Sequence, residues 1–387
     1  MSSPSEPLLD LLIVGGGLSG LTLLHRLRQL CPDRQLLLVE QPERLAAAER
    51  DPRLLALARH SQQLLQQWQL WPQLAADVSP IHSIEVSDQG HAGRLLLRDD
   101  SAQPFGHVVE AAALSRALKT ASLPVRGATI GNIEQQADLI RVTLASGETI
   151  ACRLLVLADG GSQRWDQALG QQRSAIPYAN QALIALVESD RPHGGRAFER
   201  FTTAGPLALL PVGERQFSLV WCGTEADCQS RLQAAPEHFN RLLQQAVGYR
   251  AGELQLVAER NVYPLALMQV ARLMGHRCLW LGNAAHTLHP VAGQGFNLAL
   301  RDIDCLCRLL AASPIADWGR YPLLADYERQ REGDIAATVR FTDGLLALFA
   351  NDHASLVVGR NLALAVLNLL PVGQRLITRQ GMGLGNH

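Results

Sequence analysis

Aromatic residues make up only 5% of this 387-residue chain, and 35 basic against 36 acidic residues leave a net charge of -1. A chain without a basic excess or stacking platforms is poorly equipped to hold nucleic acid, and it has no long-range field toward an acidic membrane. The seven cysteines are scattered and lack the paired spacings of a zinc site. An odd, unpatterned set suits a reducing compartment, so the expected location is cytoplasmic. Cys305 and Cys307 stand two apart on a predicted helix, where their side chains diverge. No basic region precedes the apolar run of "MSSPSEPLLDLLIVGGG", and that run breaks at glycine after a few residues. It reads as a strand rather than a signal peptide. The apolar segment 354–381 is interrupted by Arg360, Asn361 and Asn368, a polar density that makes a bilayer span costly. It reads as a C-terminal helix packed on its own protein, or as one docking on a membrane surface or partner.

What is present is ordinary globular material, 47% hydrophobic, long enough for two domains or one composite domain. "DLLIVGGG" reads as a buried strand ending in glycines, "LSGLTLLHRLRQL" as a helix with Leu18, Leu21, Leu24 and Leu27 on one stripe, and "RQLLLVE" as a second strand ending at Glu40. A polar helical region is expected over about 46–71, then strand pairs in "SPIHSIEVSDQGHAGRLLL" and a helix in "EAAALSRALKTA". "LIRVTLASGETIACRLLVLADG" reads as a hairpin turning at Ser146-Gly147. From Gln181 to about Cys222, alternating segments separated by Gly and Pro predict an antiparallel sheet, followed by helix over 225–248. "RCLWLGNAAH" is another buried strand, and helix dominates thereafter. With no linker or repeat in between, the domains should interleave. The fold class expected is α/β: a Rossmann-like domain from 8–75, 101–176 and 261–345, an antiparallel substrate domain from 76–100 and 177–260, and a C-terminal helical segment over 346–387.

Two glycine loops carry the chemistry. Gly15, Gly17 and Gly20 form G-x-G-x-x-G between a strand and a helix: the first permits the tight turn, the second lets backbone approach a pyrophosphate, and the third lets helix and strand pack closely. Backbone N–H groups and the positive helix end then attract phosphate. Glu40 stands where a carboxylate accepts hydrogen bonds from an adenosine ribose. This unit alone does not separate NAD from FAD. Asp159-Gly160 follows a second strand, either as a common turn or as a loop meeting a ribityl chain. "LWLGNAAHTLHPVAGQGFNLALRD" adds a strand, Gly282-Asn283, His-Pro, and Gly-Gln-Gly leading into a helix that begins near Gly295 or Phe296. Such a helix points N–H groups and partial positive charge at whatever lies before it, which suits the pyrimidine edge of a flavin. His286 and His289 form H-x-x-H, open to reading as a metal pair; without a nearby acidic cluster no metal is expected, and His286 reads better as a residue orienting the loop.

These motifs, in this order over most of the chain, resemble the single-component flavin-dependent aromatic hydroxylases (class A flavoprotein monooxygenases). "HPVAGQGFNLALRD" resembles the signature of the ubiquinone-biosynthesis hydroxylases, while "VSDQGHAG", "GRAFERFTTAGPLALLP" and "LFANDHASLVVGRN" look like their 2-polyprenyl-6-methoxyphenol hydroxylase branch. The resemblance implies that Gly15, Gly17, Gly20 and Glu40 hold the ADP half of FAD. It places Arg53 near the cofactor, where the residue reads equally as a solvated helix charge. Asp159, Gly160, Gly282 and Asn283 would lie along the ribityl chain, and Pro290, Gly293, Gln294, Gly295 and Asn297 around the isoalloxazine. Asn283 departs from the usual aspartate, keeping an acceptor for the ribityl chain while losing a negative charge, and Gln163 and Asp166 depart from a serine and an arginine of the motif that the family uses for nicotinamide access. The reaction implied is ring hydroxylation of a polyprenyl phenol by O2 through a C4a-hydroperoxyflavin, with NAD(P)H a transient co-substrate. Phe198, Phe201, Leu207, Leu209 and Trp221 are candidates for an apolar wall over the ring, although alternation should turn half of them to a core. A long-tailed substrate implies a position peripheral to the inner membrane, with a membrane surface, a lipid-presenting protein or a ubiquinone-biosynthesis assembly as partner. An FAD-dependent reductase without oxygen chemistry and a non-catalytic flavin scaffold are the rival readings.

Overall fold

The computed structural model describes residues 8–91, 93–98, 103–119, 123–288, 293–349 and 361. The chain opens with the βαβ unit: β1 (Leu9–Val14), α1 (Leu18–Leu30) and β2 (Leu36–Glu40), with β1 and β2 parallel from Leu11↔Leu36 to Val14↔Val39. Leu11, Leu12 and Ile13 are fully buried, as befits a strand covered on both faces. The apolar stripe of α1 is wider than the leucine spacing implies, since Thr22, Leu23 and His25 are buried too. Then come α2 (Pro42–Ala48), β3 (Leu54–Ala58), α3 (Arg59–Gln67), β4 (Ser79–Ile81), β5 (Ser83–Asp88), β6 (Arg94–Arg98), β7 (Gly106–Glu110) and α4 (Ala111–Lys119). Here the structure corrects the sequence reading, because β3 interrupts the helix expected over 46–71. "LLALA" is a short apolar run of helix-forming residues, and its pairing with β7, from Leu54↔Glu110 to Ala58↔Gly106, overrides that local preference.

The chain continues with β8 (Val125–Gly127), β9 (Ile130–Gln135), the hairpin β10 (Ile140–Leu144) and β11 (Thr149–Leu157), and then β12 (Arg173–Ser189), β13 (Arg196–Thr202), β14 (Gly205–Val212) and β15 (Gln216–Thr224). Two helices follow, α5 (Glu225–Gln233) and α6 (Pro236–Val247), then β16 (Leu254–Leu256), β17 (Asn261–Val270), β18 (Met274–Gly275), β19 (Cys278–Trp280) and β20 (His286–Thr287). The long helices α7 (Gln294–Ala312) and α8 (Tyr321–Phe349) end the series.

One sheet has the order β18-β19-β11-β1-β2-β8, with β10 and β9 attached at β11. Its central strands β19, β11, β1, β2 and β8 are parallel. A core cluster joins this sheet to α1, α3, α4, α7 and α8 through Trp68, Trp318 and Tyr327, among others. The second sheet runs β20-β17-β12-β15-β14-β13-β5-β6, with β16 on β12. It is antiparallel as expected except at β13, which runs parallel to β5. No tight turn joins those two distant strands, so nothing local forces them to be antiparallel. The strands β12 and β17 carry this sheet across the boundaries expected at 176 and 260, down to the loops of the first sheet. Helices α5 and α6 cover one of its faces. The other faces a three-stranded sheet, β3-β7-β4. The predicted segment 346–387 lies outside the described residues apart from the end of α8 and Asn361. Asn361 reaches the β5–β6 hairpin, donating to Asp88 Oδ2 (2.9 Å) and accepting from the Gly93 N–H (2.8 Å).

Candidate functional site

Four neighbouring parallel strands end at one edge, and each delivers a residue singled out in the sequence: Gly15 after β1, Glu40 at the end of β2, Asp159 after β11 and Gly282 after β19. Carboxyl ends of open parallel sheets are where such folds bind ligands. The loops are tied to one another by Gly15 N–H to Val39 O (3.0 Å), Ala158 N–H to Val14 O (2.7 Å) and Leu281 N–H to Leu157 O (2.9 Å). The three motif glycines have separate physical reasons. Gly15 has φ +118°, and a Cβ there would lie 2.3 Å from Ala158 O; at Gly20 it would lie 2.0 Å from Gly15 O. At Gly17 a Cβ would meet nothing within 4 Å. The second glycine therefore borders open space at the start of α1, whose first turn has no side-chain cap and no acidic residue. Its N–H groups are available to an anion. Glu40 is held toward this loop, accepting from Gly16 N–H (3.0 Å) and Gln41 N–H (2.7 Å).

The late loop reaches the same place. A Cβ on Gly282 (φ +60°) would lie 2.5 Å from Ser19 Oγ on α1, and one on Gly161 would lie 3.0 Å from Asn283 O. The loops after β1, β11 and β19 thus touch. Arg173, at the start of β12, ties them further: it pairs with Asp166 (Nε to Oδ2, 2.9 Å) and donates to Ala284 O (2.7 Å). The residue that departs from the family pattern at 166 is therefore the anchor of a buried arginine that grips the late loop. Asn283 itself is exposed. Burial pushes the Asp159 carboxyl up to about 6, against the pull of the Gly161 N–H and of Arg173.

Helix α7 begins at Gln294, one residue earlier than expected. Its N-cap Gly293 is left-handed (φ 59°) and supplies no side-chain cap. A Cβ on Gly293 would sit 3.0 Å from Ala56 Cβ, whereas Gly295 borders open space. Gln294 is buried. Asn297 spends all its hydrogen-bonding capacity inside the protein. Its Oδ1 accepts from Ala58 N–H (2.8 Å) and Ser61 Oγ–H (2.6 Å), and its Nδ2 donates to Ala56 O (2.8 Å) and Gly293 O (2.7 Å). It welds the end of β3 to the start of α7. Pro290 and His289 lie outside the described residues.

His286 has the orienting role expected of it. Its Nε2 is 2.7 Å from Asp302 Oδ2, both groups buried, and Asp302 in turn accepts from Arg331 Nε (2.7 Å). Arg331 and Arg301 share Asp334, so a buried charge chain locks the late loop to α7 and α8. Burial opposes ionisation of Asp302, but Arg331 and His286 beside it hold its carboxyl below the ordinary carboxylate range. Sequence reading missed this chain, whose one visible trace was the aspartate closing "NLALRD". Among the described residues no group of His, Cys, Asp and Glu is arranged to hold a metal.

Arg53 stands just before β3 rather than on a helix, half exposed, with its guanidinium on Asp51 (Nε to Oδ1, 2.9 Å). One expectation needs correction. The wall residues mostly face the wrong way. Phe198, Leu207, Leu209 and Trp221 pack beneath α5 and α6 with Phe239 and Leu243, and Phe201 packs with Ile81, Phe105 and Val108. Alternation marks two faces of a strand but not which of them a helix will cover. The face turned away from α5 and α6 instead presents Ile184, Ala208, Leu210 and Val220, all half-buried, together with Glu199.

The model of the family described as FAD binding domain matches residues 9–342. The chain is 36% identical to the ubiquinone hydroxylase UbiL of Rhodospirillum rubrum, over 99% of this chain and 91% of that one. It is 29% identical to the 3-demethoxyubiquinol 3-hydroxylase of Escherichia coli, over 97% and 98%. The solved p-nitrophenol 4-monooxygenase PnpA of Pseudomonas putida shares the fold, with a TM-score of 0.78 at 16% identity, over 97% of this chain and 98% of that chain. No helix among the described residues is long and apolar enough to cross a membrane. With a family match across nearly the whole described chain, and carboxyl-edge loops built for a dinucleotide, this chain belongs to the FAD binding domain family and groups there with the ubiquinone hydroxylases.

Proposed function

We propose that the protein hydroxylates the aromatic ring of a polyprenyl-methoxyphenol in ubiquinone biosynthesis, using FAD, NAD(P)H and O2. The observation that carries this reading is the meeting of the loops at Gly15, Asp159 and Gly282 on one sheet edge, with the start of α7 beside them. The residues present fit FAD. The uncapped start of α1 and the open space at Gly17 suit the diphosphate, and Glu40 suits the ribose. Asp159, Gly160, Gly282 and Asn283 would follow the ribityl chain. Gly293, Gln294 and Gly295 would meet the ring, where the positive end of α7 favours negative charge on the flavin; Asn297 holds that turn in shape, and Pro290 belongs to the same loop. Arg53 sits at the margin of this site.

When bound, FAD supplies electron transfer and oxygen activation that no side chain provides. The chain's own part is placement and exclusion of water. The large sheet's open face and the β3-β7-β4 layer enclose the ring side, and the Asp302–Arg331 chain keeps the late loop from drifting. The residues 8–75, 101–176 and 261–345 then serve the cofactor, and 76–100 with 177–260 the substrate. A reductase or a scaffold finds no support in the hydroxylase relatives. Quinone profiling of a deletion strain tests the reading: a polyprenyl-methoxyphenol should accumulate and disappear on complementation. Unchanged ubiquinone, or a purified protein that stays colourless with added FAD, refutes it.

A further inference from the structure

Glu199 stands in the middle of β13, on the face of the large sheet turned away from α5 and α6. Its registered neighbours are Ala208 on β14 and Val86 on β5. Ala208 lies beside Val220, and Leu210 and Val86 border the apolar cluster that contains Ile81, Phe105 and Val108. That cluster also meets Ala56, against which Gly293 is packed. The carboxyl thus looks into the layer between the large sheet and the β3-β7-β4 sheet.

Its Oε1 is buried and without a hydrogen-bond partner. A buried acceptor left unmade in this way costs free energy, and a built-in acid amid aliphatic side chains asks for a ligand that completes it. The neighbouring acid Glu85 shows the contrast, for it lies on the other face and is met by Arg94, Arg196 and Arg250. On Glu199's own face the other ionisable groups are Asp88, bonded by Asn361, the Cys222 thiol, which burial drives upward, and the exposed Glu188 and Tyr263. Of the elements against this face, β7 carries His107, and the last turns of α8 carry Arg340 and Asp343; none of them bonds Oε1. Arg53, just before β3, is taken by Asp51. With no cation bonded to Oε1, the place suits a neutral hydroxyl better than an anionic aromatic.

We propose that Glu199 receives the hydroxyl of a neutral phenol and takes its proton as the ring is oxidised. The inference rests on the hydroxylase reading above. The phenolic O–H bond breaks, the proton passes to the Glu199 carboxylate, and the electron pair left on oxygen moves into the ring, making the ring carbon a better nucleophile toward the oxygen drawn from O2. As the C–O bond forms, the O–O bond breaks and its electron pair leaves with the other oxygen atom, which ends as water. The attacked carbon then gives its own proton to solvent, aromaticity returns, and the phenolate recovers a proton from Glu199.

Supporting this, burial alone raises the carboxyl to about 8, close to where an acceptor of phenolic protons works best. The sign follows: the group is ionised, and able to accept, only as pH rises through that value.

The test uses the FAD-loaded enzyme with a short-chain prenyl methoxyphenol, scoring product rather than NAD(P)H loss alone. Glu199→Gln should keep its flavin spectrum, lose about 10²-fold in kcat/KM, and lose the rise in rate near pH 8. Glu199→Asp should restore part of the rate and of the pH limb. On the unaltered enzyme, the methyl ether of the same phenol, having no proton to give, should be hydroxylated about 10²-fold more slowly. Wild-type rate and pH profile in Glu199→Gln overturn the role, as does equal turnover of phenol and ether by the unaltered enzyme, a comparison that stands even where the variant does not fold. Failure of the yellow, unaltered enzyme to hydroxylate any such phenol overturns the proposed reaction itself.

Discussion

Replacing Gly15 and Gly17 by alanine in turn separates holding the fold from holding the cofactor. At Gly15 the new methyl would be forced to 2.3 Å from Ala158 O, on a backbone with φ +118°. Left-handed strain of about 1–2 kcal/mol adds to overpacking of about 1–3 kcal/mol, so Gly15→Ala should destabilise the apoprotein by roughly 2–5 kcal/mol. At about 2 °C per kcal/mol for a chain this large, the apoprotein Tm falls by about 4–10 °C. At Gly17 the backbone is ordinary and a Cβ meets nothing within 4 Å. Gly17→Ala should leave the apoprotein Tm within about 2 °C, since losing glycine for alanine at an N-cap costs up to about 1 kcal/mol. The methyl then occupies the space a phosphate needs. Losing one charge-assisted hydrogen bond of about 1.5–3 kcal/mol weakens FAD about 10- to 10²-fold. Flavin fluorescence titration of the apoproteins, with Tm measured with and without FAD, reads both quantities. If Gly17→Ala binds FAD as tightly as the parent, the diphosphate does not lie over this turn and the reasoning fails.

Asp302→Asn should cost about 3–5 kcal/mol in urea unfolding, because the buried His286 and Arg331 lose the carboxylate between them and Arg331 keeps only Asp334, which Arg301 already shares. Because the folded-state pKa of Asp302 lies below its unfolded value, its contribution is fully present above about pH 4 and disappears as pH falls through the lower folded value, so the parent and variant should converge only in strong acid. The opposite sign holds for Asp159, raised to about 6: its ionisation destabilises the apoprotein as pH rises from about 4 through 6. Asp159→Asn should therefore gain Tm over the parent at pH 7 but not at pH 4, and equal gains at both would contradict the assignment. Asn297→Ala strands the Ala58 N–H and the Ser61 hydroxyl. About 2–5 kcal/mol of stability should be lost, with proteolysis focused on the turn at Gly293.

Much of the site was legible because its signals are local. Gly15, Gly17 and Gly20 form a pattern six residues long between a strand and a helix, Glu40 marks a strand end, and a glycine pair marks the start of α7; such features are written in short windows. The buried parallel strands announced themselves by apolar runs, and the hairpin at Ser146-Gly147 by its turn chemistry. What the sequence left open were matters of long-range contact. Whether "LLALA" became helix or strand was decided by β7, fifty residues on. Which face of β13 and β14 met α5 and α6 was decided by packing, and it sent Phe198, Leu207, Leu209 and Trp221 inward while turning Glu199 the other way. The partners of Asp302 and Asp166 lay on other elements, Arg331 on α8 and Arg173 on β12. Periodicity names the faces of an element, and motifs name its ends. Only the folded chain brings opposite charges together, because their meeting depends on distances that no short window of sequence contains.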